Sequence, residues 1–193
     1  MARKKNEFRP DTFREDVLGK LLMTRKQAMR LLRWLLFSAI CLAGLLIQDV
    51  FMCRFTIFGT TTNLVPCCIL AVCILQGAES GCVFALVGSM LYCFSGSAPG
   101  IFAIPLITVI AALTAIFRQA YLQKGFFTML LCTAFALLFY ELGTFFIGVF
   151  LGSTIMSRLP AFLIGTGLTL ATVPILYPIL LSIGKIGGEI WKE

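Results

Sequence analysis

The chain of 193 residues carries few groups able to do chemistry. It has no histidine, and of its nine acidic residues only Glu141 falls deep inside a long uncharged run. General acid–base or nucleophilic catalysis needs at least two such groups converging on a reacting atom. No carboxylate pair and no phosphate-cradling glycine loop after a strand is present, so no enzyme is expected. The eight cysteines (Cys41, Cys53, Cys67, Cys68, Cys73, Cys82, Cys93 and Cys132) lie in or beside apolar runs without paired metal-ligand spacing. They read as small, reduced apolar fillers, and neither a metal nor a cofactor is expected. Two polar features remain. Thr60-Thr-Thr-Asn63-Leu-Val-Pro66 brings four polar side chains to the start of an apolar run. Asn63 cannot leave its amide unpaired in lipid, so it must face protein or a wet cavity. Glu141 costs about 2.5–3.5 kcal/mol to insert as a charge, so it must also face protein. The sequence offers it no evident partner.

The elements that position these residues are apolar helices. The chain is 59% hydrophobic and 13% charged, whereas a soluble domain is about one quarter charged. The fold class is therefore all-α integral membrane. Uncharged runs place spans at about 34–48, 55–78, 80–94, 101–117, 125–151 and 160–183, six in all. The run from Ser80 to Phe117 is too long for one span, and Ser95-Gly-Ser-Ala-Pro-Gly100 is its natural turn.

Ten of the sixteen basic residues precede Trp34. With the N-terminus inside, Arg118, Lys124, Lys185 and Lys192 are also inside, and only Arg54 and Arg158 face out. Both termini are thus expected in the cytoplasm. Residues 1–33 form a separate basic segment. Thr12-Phe-Arg-Glu15 resembles a capping box, and the spacing beyond it predicts an amphipathic helix lying on anionic lipid. The expected division is this segment, a six-helix domain over 34–184, and a cytoplasmic tail over 185–193.

Small residues mark candidate helix-packing or partner faces. Ala39 and Ala43 share one face of the first span. Gly77 and Gly81, and Gly148 and Gly152, have small-xxx-small spacing. Gly88, Gly96 and Gly100 are expected to let the third and fourth spans pack tightly.

In order along the chain, "LIQDVF", "FTIFGTTTNL", "LQGAESG" and "GSMLYCFSGSAPGIFAIPL" resemble the rod shape-determining MreD family over about residues 45–120. Gln48, Asn63, Leu64, Gly77, Gly81, Gly88, Ser95, Gly96 and Gly100 fall on pattern positions. Tyr92 stands where the family carries an aspartate, and Thr62 where it carries a proline. The resemblance implies a non-enzymatic membrane scaffold of the bacterial cytoplasmic membrane, working in lateral cell-wall synthesis with MreC, MreB, RodA and its transpeptidase. It also implies a bundle similar to the substrate-binding S component of energy-coupling-factor vitamin transporters, which is the alternative function. Such a component would dock its energising module through Ala39 and Ala43, but the outer helix ends offer few side chains for a vitamin.

The topology is tested by cysteine labelling in a background stripped of native cysteines. A cysteine at Ser97 should react with an impermeant reagent applied from outside. Labelling of one at Gln123 instead would overturn the orientation.

Overall fold

A computed structural model of the chain describes residues 25–51, 54, 60–121 and 125–185. The expected capping box and the amphipathic helix up to residue 24 lie outside the described residues. Among those described the fold is all-helical. Its helices are α1 (Arg25–Val50), α2 (Leu64–Gln76), α3 (Ala78–Phe94), α4 (Ala103–Tyr121), α5 (Phe126–Phe150), α6 (Leu159–Leu170) and α7 (Val173–Gly184). A short 3₁₀ turn over Met156–Arg158 precedes α6.

Three helices, α1, α4 and α5, are long and apolar enough to cross a membrane, and the α6–α7 pair makes a fourth if it is one span. The two remaining expected spans are shorter. α2 has 13 residues and α3 has 17, and at 1.5 Å per residue α2 is only about 20 Å long, against about 30 Å of hydrocarbon. α1 also passes the expected boundary at residue 33 without a break. The bend of 44° between α6 and α7 was not anticipated. Its cause is local: Pro174 cannot donate to the Leu170 carbonyl, and the Thr172 hydroxyl bonds back to the Thr169 carbonyl at 2.6 Å.

α2 is the centre of the molecule. It packs against every other helix, and all its residues from Leu64 to Leu75 are buried. α1 lies antiparallel to it, with Gly44 opposite Leu64 and Cys68 and with Gln48 bonded to the Val65 N–H at 2.9 Å. α3 folds straight back along it. Gly77 is the single linking residue, at φ +91°, where an L side chain is strained. Large apolar side chains point outward from the other helices: Phe94 and Phe150 are 86% and 92% exposed. That surface suits a lipid solvent.

The glycines do different work from that expected. A Cβ on Gly81 would lie 2.5 Å from the Cys73 Sγ and 2.8 Å from the Cys73 carbonyl oxygen, so α3 and α2 touch there. Gly77 is outside both helices and forms the turn rather than half of a packing face. Gly88 faces Ile69 of α2 at 3.1 Å, so it sets the spacing of α2 and α3, not that of α3 and α4. Gly96 has φ +79° and nothing within 4 Å of an added Cβ; it is required for its backbone, not for close packing. A Cβ on Gly100 would meet only the neighbouring Phe102 ring. Gly152, at φ +71°, lies beyond the end of α5, so it and Gly148 do not form a helix face. The close approach of α4 to α5 is at Gly143, whose added Cβ would lie 3.0 Å from Leu106.

Overpacking against rigid backbone costs about 1–3 kcal/mol. Gly81→Ala, which meets backbone, should therefore lower the unfolding midpoint in detergent more than Gly88→Ala, which meets only the Ile69 side chain. The reverse order by thermal scanning would contradict this account of the hairpin.

Candidate functional site

The buried polar residues gather at the N-terminal end of α2. A helix enclosed by protein cannot hydrate the free N–H groups of its first turn. Pro66 in that turn has none to satisfy. The Val65 N–H is taken by Gln48 Oε1 from the end of α1 at 2.9 Å, and the Asn63 carbonyl accepts the Cys67 N–H at 3.4 Å. Asn63 joins two more helices. Its backbone N–H donates to Thr169 Oγ1 on α6 at 3.1 Å, and its side-chain amide Nδ2 donates to Glu141 Oε1 on α5. The Thr169 hydroxyl in turn donates to the Gly165 carbonyl at 2.8 Å. Glu141, without a partner on the sequence alone, thus has one 78 residues away.

The chain leading into this knot is not helical. Thr60 and Thr61 lie against Gly165, and Asn63 is bonded to Thr169 one turn further along α6. Irregular backbone inside a membrane survives only where protein or a cavity satisfies it, and α6 fills that role here. The helix expected to begin at 55 therefore begins at Leu64, and the threonines form its polar approach.

Two tyrosines complete the cluster. Tyr92, near the end of α3, is buried beside the Gln48 side chain. Its hydroxyl adjoins that of Tyr140 on α5, beside Glu141. The Tyr140 hydroxyl, on a residue only 1% exposed, is not in hydrogen-bonding geometry with any described residue, and neither is the buried Thr62 hydroxyl. Gln48, Asn63, Tyr92, Tyr140 and Glu141 thus bring four segments of chain to one place. Among the described residues no group of acidic, histidine and cysteine side chains could hold a metal ion, and the seven described cysteines are all unpaired.

Of the candidate residues, Asn63, Tyr92 and Glu141 meet in this cluster. Gly77, Gly81 and Gly88 lie on the α2–α3 hairpin. Gly96 and Gly100 lie in the turn before α4, which the Ser97 hydroxyl ties to the Asp49 carboxylate beyond Gln48. Ala39 and Ala43 are exposed on α1, away from the cluster. Tyr140, Thr169 and Arg118 were missed. Arg118 serves the opposite end of α2, where its guanidinium donates to the Ile74 carbonyl. Its only signal in sequence was a charge at the edge of an apolar run.

The arrangement fastens helices together and offers one buried carboxyl and two unbonded hydroxyls. Glu141→Gln retains an oxygen for Asn63 and should keep normal membrane levels. Glu141→Leu strands the Asn63 amide at a cost of about 1–3 kcal/mol, and Glu141→Lys should not accumulate. A double-mutant cycle on Asn63→Ala and Glu141→Ala, read by unfolding in detergent, should give a coupling of about 1–2 kcal/mol. Additive effects would show that the bond contributes nothing to the fold.

The chain matches no protein-family model, no curated protein and no solved structure.

Proposed function

We propose that this protein is a non-enzymatic, six-span membrane scaffold of MreD type, a subunit of the complex that builds the lateral cell wall, with both termini in the cytoplasm. The observation that carries the reading beyond the sequence resemblance is how the polar groups at the α2 start are used. Asn63 and Gln48, which a vitamin carrier would need for its ligand, are engaged on Glu141, Thr169 and the Val65 N–H. They join helices rather than line an open pocket. On this reading α1, α4, α5 and the bent α6–α7 pair cross the membrane in full, and the shorter α2 and α3 make up the six. The exposed Ala39 and Ala43 give α1 a smooth face on which a one-span partner of MreC type can pack.

The second reading is an S component of a vitamin transporter. The unbonded Tyr140 and Thr62 hydroxyls favour it, because a polar ligand needs convergent buried groups.

The two readings separate on purification. The scaffold should co-purify with an MreC-type partner, and denatured samples should release no vitamin by mass spectrometry. Its depletion should make rod-shaped cells round. A stoichiometric vitamin, or an ATP-hydrolysing module pulled down without a wall-synthesis partner, would reverse the assignment.

A further inference from the structure

An apolar groove of about 570 Å³ runs between α4 and α5. Its α4 wall extends from Leu106 to Phe117, and its α5 wall from Leu131 to Phe139. At the Leu106 end Gly143 lets α5 come close to that side chain. Between the walls lies Cys132, 4% exposed. The only hydroxyl in the lining is that of Thr114, and it already donates to the Ile110 carbonyl at 2.7 Å. The groove therefore presents nothing to a polar ligand.

We infer that this groove holds one acyl chain of a phospholipid from the leaflet on the Arg118 side. The length fits. The twelve residues of α4 from Leu106 to Phe117 cover about 16 Å, roughly half of the 30 Å hydrocarbon thickness and so the depth of one leaflet. A packed helix would instead need a shallow face with small residues on it, whereas the rims here are Leu113, Phe117, Phe135 and Phe139, each more than half exposed. Charge fits at the Phe117 end: Arg118 is the next residue of α4, and with its guanidinium at the Ile74 carbonyl it puts a positive charge at the level where lipid phosphates lie. The inference does not depend on the scaffold assignment, because either function leaves α4 and α5 in lipid.

The experiment is native mass spectrometry of the full chain, extracted from vesicles of four parts phosphatidylcholine to one part phosphatidylglycerol. The wild type should retain one phospholipid, enriched in the anionic species over the vesicle ratio. Thr114→Phe, which fills the groove, should reduce that occupancy at least tenfold. Leu42→Phe, on the lipid-exposed face of α1, should leave it unchanged. Should Thr114→Phe fail to keep the wild-type unfolding midpoint, Leu131→Trp at the rim replaces it. Equal retention by the groove-filled and control variants would show annular lipid only and overturn the proposal. So would a groove-filled variant that keeps its lipid but loses a co-purifying protein, which would make the groove a protein dock.

Discussion

The molecule depends on one constraint: a 13-residue helix enclosed on every side must have its ends capped by protein. Water cannot reach the first N–H groups or the last carbonyls of α2, and lipid offers nothing in exchange. Each end is met from a different helix. Gln48 of α1 takes the Val65 N–H, and Arg118 of α4 donates to the Ile74 carbonyl. Gly77 turns the chain so that its own N–H reaches the Cys73 carbonyl at 3.1 Å. The charges match the helix dipole as well. Glu141 stands through Asn63 at the positive end, and Arg118 at the negative end. Moving any one of these helices would uncap the centre.

Close packing is the second requirement, and it follows from the solvent. Leaving lipid for protein gains little hydrophobic free energy, because acyl chains are as apolar as leucine. Helices therefore stay together through dense van der Waals contact and a few buried hydrogen bonds. Gly44, Gly81, Gly88 and Gly143 lie where neighbouring helices come nearest. The glycines that only turn the chain, Gly77, Gly96 and Gly152, are those with positive φ. Sequence spacing mixes the two kinds, which is why Gly77 and Gly81 look like one packing motif and are not.

The same distinction explains what could be read in advance. Charge-free runs located the helical segments, since a buried or lipid-facing helix must lack charges along its length. They could not show that α2 is enclosed, because a helix that is apolar on all sides looks the same against lipid and against protein. Asn63 had to face protein, on the cost of its amide alone, and it does. Its partner was not legible: a bond across 78 residues leaves no local pattern. Pro174 and Thr172 were in plain view, yet the α6–α7 bend needed their combination, a missing donor and a hydroxyl competing for the same turn. Tyr92 proves to be a neighbour of Gln48 and Tyr140, in a cluster that already holds a carboxyl, Glu141; an acid at its place would add repulsion in a medium that screens it poorly.

Orientation in the membrane and stability of the fold draw on the same residues. On the expected topology α2 runs from outside to inside, so its negative dipole end points to the cytoplasm. That is the side on which the expected topology places fourteen of the sixteen basic residues. On that topology Arg118 satisfies both demands at once: it stands at the inner end of α4 and neutralises the end of α2. The register of α1 against α2, with Gln48 at Val65 and Gly44 at Cys68, carries Arg33 just past Gln76, to the same end. An inside-to-outside helix in the central position would have turned its positive end towards these arginines and needed acids among them. On that topology the central helix is matched to its surroundings in only one direction, and Glu141, bonded to Asn63 at the opposite end of α2, completes the match.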